Sequence, residues 1–312
     1  MTNKKKGLIA IIISVLFWGF SFISIKVSVA VFPPMTLGMI RFAIALIFLY
    51  FLKLKMAPKE RFVLKDIPLL CGAAITGVTL YFYFENTGVS MVSASEASII
   101  VAAVPVLTMI AEYLGDFILY KRAMKKAAHD PNTEVPQRTI LGARRWIGAL
   151  VSVLGVWFVV GATLTISGSA VGYLFMLGSA ISWVFYSFLT RRLSSIRSNI
   201  YIVFWQSLFG FIGFIPFALS EMPQWGTPTL GIWAHIVFLA IFCSALAYWL
   251  NAMAIGNLGV GIASMFINLI PVVTVIFGFF LLGDRLSILQ WIGAVLVMAG
   301  VYLAMMEKRK AA

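Results

Sequence analysis

Trp146-Ile147-Gly148-Ala149 returns as Trp291-Ile292-Gly293-Ala294, and Gly155-Val156 returns as Gly300-Val301 at the same offset of 145 residues. Each copy opens an apolar run that closes one half of the chain. Upstream, Ala97-Ser98, Pro105-Val106 and Thr108 return as Ala263-Ser264, Pro271-Val272 and Thr274, 166 residues on. Ser14, Trp18 and Phe20 return as Ser179, Trp183 and Phe185, 165 residues on. The offset shrinks between these sets because the first half carries an extra stretch at about residues 120–144. A match at fixed spacing over both halves reads as an internal duplication.

Composition says what the duplicated unit is. Hydrophobic residues make up 62% of the chain and charged ones 11%, whereas soluble domains carry about a quarter charged residues. The net charge of +13 would suit nucleic acid only on a water-exposed basic face. Here the basic residues fill short gaps between apolar runs, so no nucleic-acid partner is expected. Cys71 and Cys243 both lie inside apolar runs and offer neither a disulfide framework nor a metal cluster. Lys4-Lys5-Lys6 ahead of an apolar run resembles a signal peptide. That run continues past Trp18 with no small-residue cleavage site, which reads as a retained first span.

A span needs about 20 apolar residues to cross ~30 Å of hydrocarbon. By that ruler the sequence predicts ten spans, at about 7–27, 34–54, 67–87, 92–118, 145–163, 171–190, 200–220, 231–252, 259–282 and 287–306. Ten spans put 21 of the 24 Lys and Arg on one side: three at Lys4–Lys6, five at 53–65, seven at 121–145, three at 191–197 and three at 308–310. The bias places both termini in the cytoplasm. Five spans per copy is an odd number, so the second copy enters from the opposite side. Inverted repeats of that kind recur in secondary transporters. The expected fold is thus an all-α polytopic membrane protein, ten transmembrane helices in two inverted five-helix repeats around a central cavity. The first repeat covers 8–160, with a basic cytoplasmic insertion at about 120–144, and the second covers 170–306.

Ionisable residues inside spans are costly and count as functional candidates by default. Lys26, Arg41, Glu85 and Glu96 fall in the outer third of the first repeat. They form either a site in which Arg41 holds a carboxylate and Glu85 or Glu96 an ammonium group, or a neutral structural cluster. Lys26 then merely reaches the interface. Glu112 lies deeper, with Asp116 one turn on along the same face. Two close carboxylates repel when both are ionised and burial disfavours their charge as well, which suits a proton carrier. Alternatively Asp116 pairs with Lys121 or Arg122 and leaves Glu112 alone. In the second repeat Arg41 maps to Gln206 and Glu85 to Asn251, and Asn268 is added. Trp18 and Trp183 are mid-span and symmetry-related. With Tyr81, Tyr186 and Tyr248 they make an aromatic wall suited to amphipathic solutes or, through cation–π contact, to an organic cation. Pro105 and Pro271 each remove a backbone hydrogen bond and read as paired hinges.

These residues resemble the drug/metabolite transporter superfamily, EamA-like family. The marks are Trp18, Arg41-Phe42 with Ala45, the paired Pro105 and Pro271, and Gly283-Asp284-Arg285-Leu286 followed by Gln290-Trp291-Ile292-Gly293. The family pattern has Glu where Asp284 stands, and the corresponding link in the first repeat is the longer basic insertion. The resemblance implies a basket whose cavity is lined by spans 1, 3, 4, 6, 8 and 9, which adds Ser98 and Ser264 to the substrate pathway. It also implies export of amino acids or other small metabolites, nucleotide-sugar carriage, or expulsion of cationic drugs.

An intramembrane enzyme is disfavoured. The two histidines, His129 and His235, belong to no zinc motif, and neither a Gly-x-Ser-x-Gly nor a phosphate loop is present. No cofactor is expected. The function expected is a secondary transporter exporting small metabolites, above all amino acids or related amphipathic solutes, across a bacterial inner membrane by alternating access. Protons are a candidate coupling ion, and the chain works as a monomer or homodimer. The alternatives are efflux of organic cations or a nucleotide-sugar-type carrier and, in another class, a non-transporting scaffold or lipid flippase subunit.

Overall fold

In hydrocarbon a chain has no water to satisfy its backbone, so apolar runs of this length fold as helices, which pair every group internally. The computed structural model describes residues 2–92, 97, 100–127, 139–140, 142–161, 169–277, 287–306 and 310–311. Among the described residues there are ten long helical runs. They are α1 (Asn3–Val29), α2 (Pro34–Met56), α3 (Leu64–Met91), α4 (Val104–Ala127) and α5 (Ala143–Gly161) in the first half. In the second half they are α6 (Ala170–Leu193), α7 (Asn199–Ser220), α8 (Leu230–Leu258), a broken α9 (Val260–Met265, Phe266–Asn268, Leu269–Phe277) and α10 (Ile288–Met305). Seven of them, α1, α2, α3, α6, α7, α8 and α10, are long and apolar enough to cross a membrane. Thr139–Ile140 and Lys310–Ala311 form a two-residue antiparallel pairing, the one strand pairing among the described residues.

The helix starts are written in the sequence. Ser169, Ser198, Thr229 and Ser287 each accept a first-turn N–H into the side chain, a cap that contributes about 1 kcal/mol. Pro34 opens α2, where its missing N–H costs nothing. Gly259, at φ 87°, ends α8 and starts α9 in a conformation that a side chain would strain.

Packing follows the duplication. α1 packs on α8 and α6 on α3, while α2 packs on α7 and α5 on α10. Exchanging the two copies maps the first pair onto the second and leaves the last two unchanged. The opening motif makes the α5–α10 contact: Gly148 and Gly155 face Gly300 and Gly293 so closely that a Cβ on Gly148 would lie 2.6 Å from the Gly300 carbonyl oxygen.

The helix ends are closed by charges that also come in pairs. Lys26 donates to the carbonyls of Val89 (2.8 Å) and Val92 (3.0 Å) at the C-terminus of α3. Arg191, 165 residues on, donates to Ile255 (3.1 Å) and Gly256 at the C-terminus of α8. Both place a cation on the negative end of a helix dipole. The α2 N-terminus is capped by Glu221, which accepts from Met35 N (3.2 Å), Thr36 N (2.7 Å) and Thr36 Oγ1 (2.8 Å). At the other end of the bundle Glu60 accepts from Ser198 N (3.2 Å) and Ser198 Oγ ahead of α7. Glu221→Ala and Glu60→Ala are each expected to lower stability by about 1 kcal/mol. The two losses should add in the double variant, since the sites are far apart. Thermal unfolding of the purified protein in detergent measures both, and a double variant no weaker than either single would refute independent caps.

Candidate substrate site

Five helices bring the aromatic and charged candidates to one point. α1 supplies Trp18, α2 Arg41, α6 Trp183 and α8 Tyr248, while α3 supplies Tyr81, Phe82 and Glu85. Tyr81 and Glu85 share a helix face because they stand four residues apart. Arg41 is 2% exposed and Glu85 4%, which would be prohibitive in lipid for unassisted charges. The Tyr81 hydroxyl donates to Glu85 Oε1 at 2.6 Å. Arg41 Nη2 donates to Ser244 Oγ at 3.1 Å, and the guanidinium carbon sits 4.4 Å from the centre of the Phe82 ring. Arg41 Nε and Nη1 make no hydrogen bond among the described residues. Arg41 and Glu85 line the same cavity yet form no ion pair with each other. A guanidinium with two nitrogens that make no hydrogen bond and a carboxylate held by Tyr81 therefore line one small space.

That space has a volume of about 30 Å³, enough for about one water molecule and far below the roughly 300 Å³ at which ligand pockets begin. Its wall is aromatic. Trp18 and Trp183 meet edge to face at 5.3 Å, Trp183 lies 5.0 Å from Tyr81 and 5.6 Å from Tyr248, and Phe82 stacks on Tyr248 at 6.2 Å. These side chains leave little free space between them.

The wall is anchored by two irregular turns that no periodicity in the sequence announces. α3 widens into a π turn at Ile75–Thr79 and α8 does the same at Leu239–Leu246, at matching places in the two copies. Carbonyls of these turns accept from the site. Tyr248 donates to Gly77 at 2.7 Å, Ser182 to Thr76 at 2.6 Å and Trp18 Nε1 to Cys243 at 3.2 Å. π turns occur often at functional sites, and here they supply backbone acceptors that orient the aromatic side chains.

The remaining candidates fall elsewhere. Tyr186 touches the wall, 4.9 Å from Trp183, but its hydroxyl points away and accepts from Gln206 Nε2 at 3.2 Å. Thr190 and Asn251 flank the same hydroxyl, and all four residues are buried. Gln206 and Asn251 thus form a second, uncharged cluster behind the wall. Asn268 bridges to Ser152 Oγ on α5 at 2.6 Å, and Ser264 bonds its own helix at Gly261 O, 2.9 Å. Neither reaches the cavity. Glu96 and Ser98 lie outside the described residues, as do Gly283, Asp284, Arg285 and Leu286. Lys26 leaves the expected four-charge cluster, because the C-terminus of α3 engages its ammonium.

Pro105 and Pro271 follow matched interruptions. The chain turns at Ala102–Ala103 before α4, and α9 tightens to a 3₁₀ turn at Phe266–Asn268. Glu112 meets a cation that spacing along the chain does not assign to it. Arg145 Nη1 on α5 lies 3.6 Å from Glu112 Oε2, and Gly261 N at the start of α9 donates to Oε1 at 3.3 Å. The lone-acid reading therefore gives way to a tie between the two copies. Asp116 forms no ion pair with Lys121 or Arg122; the Lys121 ammonium lies over the Phe117 ring at 4.6 Å.

Sequence reasoning also missed Ser244, the hydroxyl that fixes Arg41, and the match of Lys26 to Arg191. The 165-residue offset would have found the second, had Arg191 not already been assigned to the basic loops.

Comparison with known proteins agrees with this architecture. Residues 5–115 and 170–306 match the family described as "EamA-like transporter family". The chain is 25% identical over 252 residues to the "Uncharacterized transporter YetK" of Bacillus subtilis, covering 79% of this chain and 70% of that one. It is 25% identical over 316 residues to the "Probable amino-acid metabolite efflux pump" of Salmonella typhimurium, covering 96% and 95%. A protein of known crystal structure has the same fold at a TM-score of 0.71, with 17% identity and 96% of each chain covered.

Proposed function

Because the chain belongs to the EamA-like transporter family, we propose that it is a secondary exporter of small zwitterionic metabolites, amino acids or close relatives, working by alternating access. The observation that carries this reading is a pair of opposite charges that line one aromatic-walled cavity without pairing with each other. Arg41 Nε and Nη1 are placed for a carboxylate, and Glu85 for an ammonium group. The resemblance to relatives named as amino-acid metabolite efflux pumps supports it. An organic cation alone suits the site less well, because the Arg41 charge lines the same cavity and would repel it. On the ten-span reading most Lys and Arg fall in gaps on one side, so the proposed placement is a bacterial inner membrane with both termini in the cytoplasm.

With about 30 Å³ free, the structure resembles an occluded form, and solute entry requires the halves to move. The matched interruptions ahead of Pro105 and Pro271 are the proposed pivots. The Glu112–Arg145 tie to the start of α9 is the proposed closure at the basic end, and proton coupling through Glu112 belongs to the same proposal.

The test is flux from proteoliposomes loaded with amino acids beside their decarboxylated and N-acylated analogues, with and without a pH gradient. The expected result is flux of the zwitterions alone. Equal flux of the decarboxylated amines would overturn the two-point site in favour of cation export. Flux that ignores the gradient would leave a facilitator and remove Glu112 from coupling.

A further inference from the structure

A second space lies apart from the central site, between α4, α6 and the start of α9, with a volume of about 630 Å³. Leu114, Leu119, Ile181 and Phe185 line it, and each is more than 40% exposed. In a spanning chain such side chains face lipid, so this is a fissure open sideways to the bilayer. Gly115, Asp116 and Arg191 also line it. A Cβ on Gly115 would meet nothing within 4 Å, so the helix leaves room where it most easily could have filled it.

The charges in the fissure are unequally used. Glu112 is engaged by Arg145 and Gly261 N. Asp116 is half-buried and forms no ion pair among the described residues. It stands five residues before Lys121, about 7.5 Å further into the span at 1.5 Å per residue. An intramembrane carboxylate at that depth calls for a cationic partner. Arg191 is exposed and spends one nitrogen, Nη1, on the end of α8, so the rest of its planar fork is open for an anion.

We propose that this fissure binds an aminophospholipid: its ammonium group on Asp116, its phosphate on Arg191, and an acyl chain along the apolar wall. The inference is independent of the carrier reading of the central site. A carboxylate and a guanidinium lining one fissure match a headgroup that carries both an ammonium and a phosphate. Phosphatidylcholine has no N–H to donate to Asp116, and phosphatidylglycerol has no cation at all. A free long-chain amine would satisfy Asp116 alone and leave Arg191 unused.

Native mass spectrometry of the full chain, offered phosphatidylethanolamine, phosphatidylcholine, phosphatidylglycerol or a long-chain alkylamine, tests the site. Phosphatidylethanolamine should be retained about tenfold over phosphatidylcholine, the scale of one charge-assisted hydrogen bond. Asp116→Asn should erase that preference while phospholipid still binds, and Gly115→Phe should exclude the lipid by filling the space. Equal retention of the two lipids by the native chain would overturn the proposal. So would a preference that survives Asp116→Asn, lipid retained by Gly115→Phe, or an alkylamine that displaces phosphatidylethanolamine at equal concentration.

Discussion

Arg41→Met is expected to reduce flux of zwitterionic solutes by about a hundredfold or more, in a protein that still folds. Truncating one partner of a desolvated charge pair costs about 2–5 kcal/mol, and each 1.4 kcal/mol is a factor of ten. The methionine keeps the apolar stem against Phe82, so the loss reports the guanidinium. Glu85→Gln should cost less, because the amide can still bond to Tyr81 and to a substrate amine without the charge. The double variant decides between the two accounts of the pair. If Arg41 and Glu85 only neutralise each other across the cavity, removing both leaves an uncharged site and flux should recover. If each holds one end of the solute, the double variant should be at least as inactive as Arg41→Met. Recovery of flux in the double variant would therefore retire the two-point site.

What can be read along the chain depends on what repeats and what does not. The apolar runs, the joints at Pro33-Pro34 and Gly259, and the serine caps are local signals, so the order of helices is legible in the residues themselves. The duplication also carries the packing, since Gly148 and Gly155 can be matched to Gly293 and Gly300 without knowing that they touch. The site is legible in part: Trp18, Arg41, Tyr81, Glu85, Trp183 and Tyr248 do converge. Partners are hidden where they come from helices far apart in the chain. Ser244 for Arg41 is 203 residues away, and Arg145 for Glu112 stands across the basic insertion. The π turns escape because one extra residue in a uniformly apolar helix leaves no mark on its periodicity. Gln206 and Asn251 are placed at the substrate by symmetry with Arg41 and Glu85. The symmetry holds, but it carries them to a separate cluster around Tyr186.

Gly300→Ala is expected to destabilise the protein by roughly 1–2 kcal/mol, and Gly300→Leu to abolish the folded form. The reason is where the new atom would go. A Cβ on Gly300 would lie 2.5 Å from the Gly148 carbonyl oxygen and 2.6 Å from Ser152 N; one on Gly155 would lie 2.6 Å from Val297 N. Those neighbours are backbone, which cannot rotate aside as a side chain can, so the helices α5 and α10 must separate along their length. Overpacking costs about 1–3 kcal/mol and occasionally more, while the helix preference of alanine over glycine returns up to about 1 kcal/mol. In lipid the association of helices rests on such close contact of small residues, since the acyl chains are as apolar as any side chain. Gly115→Ala supplies the control: the same exchange on α4, where the added atom meets nothing, should leave the melting temperature unchanged or raise it. If the two alanine variants unfold alike in detergent, the α5–α10 contact is loose and contributes no rigidity. If Gly300→Ala alone falls, the repeated motif serves as a fixed joint between the copies. Any opening of the central site must then occur through the turn ahead of α4 and the interrupted helix α9, with α5 and α10 moving as one body.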